Sequence, residues 1–413
     1  MWPNVTLDKI MSENTILKTI YLDHAATTPL SPLVYKAMLS IEASIYGNPS
    51  SMHREGRRAF DILEQSRLDI ATTIGAKPKE IIFTGSGTES DNLAIIGIAH
   101  AYKKYGRHII VSAIEHKAVL ASAHKLEKEG FTVTYLPVSK DGLIKVVDCV
   151  AAVRPDTILI SIMHANNEIG TVEPITGLTA AIKKLRGDNI TPLFHTDACQ
   201  AVGLLPIAVS KLGVDLMTIN SSKIYGPKGI GLLYVKNGIY PEPLIVGGDQ
   251  ESGRRAGTEN VALAHGFALA LQNAVANLKE NQLKLTSLRD YFIKELISVC
   301  PDIIINGHRK QRLPNNVHIS VPYIEGESLV LMLDKFGVCC STGSACSAID
   351  LTPSHVLRAI GITDELIHGS LRFSLGNSTT KEEIDSAVVS IGKCINTLRN
   401  ITALPYLQPE KTL

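Results

Sequence analysis

Four residues of this chain have types and settings that point to chemistry: Lys223, Asp197, His116 and Cys346. Lys223 follows Leu216-Met217-Thr218-Ile219 by a few residues, a run too apolar for an exposed face. An amine at the end of a buried strand is desolvated and, near other cationic groups, loses basicity, which frees it for nucleophilic attack. Asp197 comes directly after Phe194-His195-Thr196, with Gln200 one short step beyond. His116 ends the unit that starts at His108-Ile109-Ile110-Val111, and Asn166-Asn167-Glu168 follows Ile158 to Ile162. Taken singly, each of these polar residues is more often a cap or a hydrogen-bonded loop residue.

The stretch Thr84-Gly85-Ser86-Gly87-Thr88-Glu89-Ser90-Asp91-Asn92 adds a capping box, Ser86-x-x-Glu89, and two glycines that let backbone approach closely. Its unpaired amides and the Ser86 and Thr88 hydroxyls make an anion site suited to a phosphate, although an ordinary strand-to-helix turn explains the segment equally well. Five strand ends therefore bring together a phosphate cradle, an imidazole, an amide, a carboxylate and an amine. Pyridoxal 5'-phosphate asks this of a protein: a lysine to carry it as a Schiff base, a carboxylate to keep its ring nitrogen protonated, and a phosphate anchor.

Two further features lie late in the chain. Cys340-Ser341-Thr342-Gly343-Ser344-Ala345-Cys346-Ser347-Ala348 is built almost wholly of small residues, which predicts a mobile loop carrying Cys346; a turn around a buried thiol is the commoner fate of a lone cysteine. Arg372 sits inside the apolar run Ser370 to Ser374. Its fork suits a substrate carboxylate, and a structural ion pair accounts for it as well.

The elements that must position these groups follow from hydrophobic patterning. Short apolar runs at Ile81–Phe83, His108–Val111, Thr132–Tyr135, Ile158–Ile162, Leu193–His195, Leu216–Ile219 and Leu232–Val235 alternate with helical stretches. This predicts an α/β fold, a large and mostly parallel sheet with helices on both faces. One long helix is expected from Ala262 to about Val299, leading to a small α+β domain with strands at Ile303–Ile305, Val317–Val321 and Leu371–Ser374, a helix from Glu327 to Lys335, and a closing helix opened by the capping box Thr380-x-x-Glu383. The large domain is assigned to 33–275 and the small one to 1–32 and 276–413.

Composition bounds the function. At 413 residues, 45% hydrophobic, the chain exceeds the ~250 to 300 residues at which a single core stops growing. The 41 Lys+Arg nearly cancel the 40 Asp+Glu, so no overall field favours nucleic acid or an anionic membrane, and a small-molecule substrate fits better. Seven irregularly spaced cysteines make no disulfide framework and no metal-ligand spacing, which points to a reducing, cytoplasmic setting without a zinc or iron–sulfur site. Residues 1–20 do not read as a targeting segment, Met11 offers an alternative start, the tail after Ala403 reads as a flexible end, and no run approaches the ~20 apolar residues of a membrane span.

Over about residues 21 to 376 the chain resembles the cysteine desulfurases of the class V aminotransferase group, which share the aspartate-aminotransferase fold (fold type I). The matching segments include Tyr21-Leu22-Asp23-His24-Ala25-Ala26-Thr27-Thr28-Pro29, Gly47-Asn48-Pro49-Ser50, Gly87-Thr88-Glu89-Ser90-Asp91-Asn92, Glu115-His116-Lys117, Met163-His164-Ala165-Asn166-Asn167-Glu168, His195-Thr196-Asp197, Lys223-Ile224-Tyr225-Gly226-Pro227, Gly257-Thr258, Gly343-Ser344-Ala345-Cys346 and Arg372-Phe373-Ser374, in the family's order. The resemblance implies that Lys223 holds the cofactor, His116 stacks on its ring and handles protons, and Asp197 pairs with the ring nitrogen. Asn167 and Gln200 would contact the ring oxygen side. Gly87 and Thr88 would hold the phosphate, joined by Thr258 from a second subunit, so that a homodimer with composite sites is expected. Arg372, helped by Asn167, would take the carboxylate of L-cysteine, and Cys346 would accept its sulfur as a persulfide.

Many members carry Ser-x-His-Lys at the cofactor lysine, whereas here the run is Asn220-Ser221-Ser222-Lys223, whose Asn220 amide and Ser222 hydroxyl can donate to phosphate instead. Cys199, between Asp197 and Gln200, is either a small filler or an extra reactive thiol. The implied partner is a sulfur-acceptor protein such as an iron–sulfur scaffold or a thiolation enzyme. Two alternatives belong beside this reading: a selenocysteine lyase or another fold type I enzyme, and a non-catalytic sulfur-transfer scaffold.

Overall fold

The computed structural model describes residues 19–342 and 353–401. Cys346, the rest of its loop from Gly343, the alternative start at Met11 and the tail after Ala403 lie outside the described residues.

After β1 (Ile20–Tyr21), seven strands form one sheet: β2 (Ile81–Thr84), β3 (His108–Ser112), β4 (Thr132–Leu136), β5 (Thr157–Ser161), β6 (Leu193–Asp197), β7 (Leu216–Asn220) and β8 (Gly231–Val235). Their order is β2-β8-β7-β6-β5-β3-β4. All seven predicted runs are strands. The pairs from β7 through β4 are parallel, and only β8 runs against its neighbours β7 and β2. Neighbouring residues of a strand face opposite sides, so each apolar run feeds two cores. Phe83, Ile110, Ile160, Phe194, Met217 and Leu232 pack on one face against Leu63, Leu178 and Phe267 of three helices. On the other face Ile82, Val111, Leu159, Leu193, Leu216 and Leu233 pack against Leu93, Ile98, Val119 and Leu126. Helices therefore cover both faces, and the carboxyl ends of β2, β3, β5, β6 and β7 open at one edge.

A separate core gathers β9 (Ile304–Ile305), β10 (Asn316–Ser320), β11 (Val338–Cys339), β12 (Ser341–Thr342) and β13 (Ser370–Ser374). Four of these form the antiparallel sheet β12-β13-β10-β9, while β11 pairs in parallel with β1. Leu285, Phe292 and Leu296, spaced seven and four residues apart on one helix, meet Ile384, Ile391 and Ile395 of the closing helix Lys381–Ile401. The predicted box at its start is formed: Thr380 Oγ1 accepts from Glu383 N at 3.2 Å, and Glu383 Oε2 accepts from Thr380 N at 3.1 Å. No single described helix is long and apolar enough to cross a membrane.

Two expectations are corrected. The long helix is two, Val261–Ala276 and Leu278–Val299, bent by 68°. At the break the Asn277 side chain donates to the carbonyl of Asn273 at 2.8 Å, competing with the backbone for the acceptor, as asparagine does near helix ends. The first helix is buried among the sheet's helices and the second in the other core, so the bend lets one continuous pattern serve two cores. Ser341 and Thr342, expected within the cysteine loop, instead form a strand paired with Arg372 and Leu371.

Behind the strand ends Glu173 is buried, its Oε2 accepting from Ile144 N at 2.9 Å while Oε1 has no partner. Burial pushes its carboxyl up from 4.5 to about 8. Such a group contributes stability that is complete below the unfolded value and is lost as pH rises toward the folded one. Glu173→Gln cannot ionise and keeps an acceptor for Ile144. Its stability relative to the parent should climb steadily between pH 5 and pH 8, on the order of 1 kcal/mol for each pH unit. A difference that stays flat across that range in thermal melts contradicts the assignment.

Candidate active site

The shared edge of strand ends lines a cavity of about 270 Å³, near the lower end of the range for small-molecule sites. One wall is the start of the helix Gly87–Asn92, which follows β2. Ser86 caps it, accepting from Glu89 N at 3.1 Å, and the Glu89 carboxylate accepts from Gly85 N at 2.7 Å, so the predicted capping box exists in a shifted form. This turn is pressed into the site because two glycines allow it. A Cβ on Gly231 of β8 would lie 2.6 Å from the carbonyl carbon of Ser86, and one on Gly87 would lie 2.8 Å from Cys199 Sγ. Gly87 and Thr88 both line the cavity.

Asp197 ends β6 and Asn220 ends β7, and both reach the cavity. Asp197 Oδ1 accepts from Cys199 N at 2.9 Å. Asn220 Oδ1 is buried without a partner, as is Oδ1 of Asp91, one helical turn after Gly87. Burial, with the Asp197 charge adding to it, drives the Asp91 carboxyl well above the carboxylate range, and burial holds His195 down to about 4. Asp91 Oδ1 and His195 Nε2 are 3.8 Å apart, and burial disfavours the charged form of both. Ser161 and Thr218 hydroxyls hold the two ring nitrogens of His195 at 2.8 and 3.0 Å. A buried polar layer thus lies behind Asp197, which itself lines the cavity. Burial first, then Asp197 and Asp91, raise the Cys199 thiol well above its usual value. Cys199 is a neutral filler against Gly87, not a reactive thiolate.

Lys223 is half-buried in the turn after β7, its Nζ donating to the carbonyl of Ala26 at 2.5 Å. The turn is strained and clamped: Tyr225 has φ 62°, in the left-handed region, with its N–H held by Thr28 Oγ1 at 2.7 Å and its hydroxyl by Asn377 N at 2.6 Å. His116 caps the helix Lys117–Lys128, its Nδ1 accepting from Ala118 N at 3.1 Å. Gln200 donates to the carbonyl of Ala25 at 2.9 Å. Arg372 of β13 is buried and donates to the carbonyl of Asn167 at 3.0 Å and to Asp23 Oδ1 at 2.9 Å. His116, Asn167, Gln200, Lys223 and Arg372 all line the cavity. Arg372 makes a structural ion pair, as one of its two readings expects, and it also lines the cavity.

Two of the expected site residues that are described, Ser222 and Thr258, are not in the cavity wall. The Ser222 carbonyl accepts from Thr28, while its side chain is not among the lining groups. Thr258 is exposed, away from the cavity, and Cys346 lies outside the described residues. In the other direction, Asp23 and Asp91 take part although patterning assigned them no role. Asp91 carries a readable signal, since four residues after Gly87 it falls on the same helix face.

The chain belongs to the class-V aminotransferase family, whose model matches residues 20–387. Within that family it belongs with the cysteine desulfurases: the cysteine desulfurase IscS of Dictyoglomus turgidum is 50% identical over 394 residues, 95% of this chain and 98% of that one. A solved NifS-like protein superposes with a TM-score of 0.86 at 36% identity, covering 92% of this chain and all of that one. SspA, solved in complex with cysteine, superposes with a TM-score of 0.75 at 36% identity over 86% of this chain and 98% of that one. The family's cofactor is pyridoxal 5'-phosphate, and the residues present fit it. They offer an amine at Lys223, a carboxyl group at Asp197 and a cradle at Gly87 with no room for a Cβ.

Proposed function

We propose that this protein converts L-cysteine to L-alanine and passes the sulfur to Cys346 as a persulfide. The observation that carries the reading is the meeting of Lys223, Asp197, His116 and Arg372 on one cavity. Bound pyridoxal phosphate supplies an electron sink for the carbon beside the substrate carboxylate. Lys223 would hold the cofactor and move the proton of that carbon, with His116 over the ring as a second proton carrier. Asp197 would keep the ring nitrogen protonated, with Asn167 and Gln200 at the ring oxygen. Gly87, Thr88, Asn220 and Ser222 would hold the phosphate together with the partner subunit's Thr258, which makes the working unit a homodimer. Arg372 and Asn167 would bind the substrate carboxylate.

The Cys346 thiolate then attacks the substrate sulfur: an S–S bond forms, the carbon–sulfur bond breaks, and its electron pair and a proton stay with the product, alanine. Cysteine and a thiol become alanine and a persulfide, with no outside oxidant. The loop's flanks support this role. Ser341 pairs with Arg372 on one side, and on the other the Ser354 hydroxyl donates to Glu168 at 2.5 Å, next to Asn167. From Thr342 the four residues to Cys346 can reach at most about 14 Å. The persulfide would be carried to a sulfur-acceptor protein, an iron–sulfur scaffold or a thiolation enzyme. The described cysteines are all free thiols, in keeping with a reducing, cytoplasmic setting.

Purified protein loaded with the cofactor and given L-cysteine and a dithiol should form alanine and sulfide in equal amounts. Alanine no higher than in a boiled control overturns the reading.

A further inference from the structure

Arg372, the proposed carboxylate anchor, is already engaged on one side. Of its five N–H groups, one on Nη2 goes to Asp23 Oδ1 at 2.9 Å and one on Nη1 to the Asn167 carbonyl at 3.0 Å. Its Nε is buried with no partner, although the side chain lines the cavity. Two ties on separate nitrogens fix the plane of a guanidinium that otherwise sits on a long, rotatable stem. They leave Nε–H and the remaining Nη hydrogens for a bidentate carboxylate.

Asp23 is itself fixed to the strand that bears the arginine. Its backbone bridges Ser374, Ser374 N donates to the Leu22 carbonyl at 2.7 Å, and Ala25 N donates to Ser374 Oγ at 2.8 Å. Three residues further on, the Ala26 carbonyl accepts from Lys223 Nζ, and Thr28 clamps the turn that follows. One short segment, Asp23 to Thr28, therefore touches both the guanidinium and the amine.

We infer that Asp23 is a positioning residue for the substrate: its carboxylate holds Arg372 at a set orientation and distance from Lys223, so that an amino acid is seated with its carboxylate on the free edge of the guanidinium. The inference rests on the reading of Arg372 as the carboxylate anchor. Asp23 also offsets the arginine's charge, so the site gains orientation at some cost in raw attraction. Removing the ion while keeping an oxygen in place should then be mild, and removing the oxygen should not.

The test is steady-state kinetics of the holoenzyme with L-cysteine, together with binding of L-alanine followed by the cofactor's absorbance. Asp23→Ala should raise both KM and the alanine dissociation constant by about tenfold or more with kcat within about threefold, whereas Asp23→Asn should keep KM within about threefold of the parent. Arg372→Lys, measured alongside, separates the two claims. If it raises KM and Asp23→Ala does not, the inference falls and the anchor stands; if neither moves KM, the anchor itself falls. If Asp23→Ala and Asp23→Asn lose kcat, cofactor absorbance and thermal stability together, Asp23 is only structural and the inference is overturned.

Discussion

Lys223→Ala is expected to leave a folded protein without the visible absorbance of the bound cofactor and with turnover lowered by about 10³-fold or more, since in the proposed mechanism one side chain is both the covalent holder and the proton carrier. Lys223 belongs to neither apolar core, and the turn around it is held by Thr28, Ser31 and Asn377 through Tyr225, not by the amine. Its melting temperature should therefore stay within about 3 °C of the cofactor-free parent. Lys223→Arg tests the chemistry against the charge. A guanidinium keeps the cation but makes no covalent bond to an aldehyde under these conditions, so the loss should be of the same order. A yellow Lys223→Ala protein turning over at the parental rate would remove the foundation of the mechanism.

The strands were legible because the chain buries them on both faces: β3, β5, β6 and β8 are covered along their whole length, and such runs read as apolar blocks between turns. The break at Asn277 was not, because apolar residues recur on both sides of it and what divides them is the core each helix joins. Ser341 and Thr342 are short and polar, and only their pairing with β13 makes them a strand. For the site, the same contrast applies. Lys223, Asp197 and His116 stand out as ionisable groups directly after apolar runs. Asp23 precedes its partner Arg372 by 349 positions, and no local pattern announces an ion pair that distant. The buried layer behind Asp197 is equally hidden, since burial, which no residue type reveals, pushes the Asp91 carboxyl up and the His195 ring down.

Cys346→Ala should separate the two halves of the reaction. The cofactor would bind as in the parent, with unchanged visible absorbance, while alanine formation falls by about 100-fold or more and no persulfide is found on the protein. No described cysteine is placed to take over. Cys199 faces the site but is held as a neutral thiol by burial and by two acids, and Cys340 is buried and raised in the same way. Cys149 is pushed up to about 12 and Cys300 to about 11, each in a core. A thiol that keeps its proton is a poor nucleophile, and one sealed in a core meets no substrate. Mass spectrometry of the protein after incubation with L-cysteine gives the decisive reading. An added sulfur should appear on the peptide that contains Cys346 in the parent and on no peptide of the variant. Added sulfur on the Cys199 peptide in the variant, with alanine still forming, would transfer the nucleophile's role to the thiol between Asp197 and Gln200.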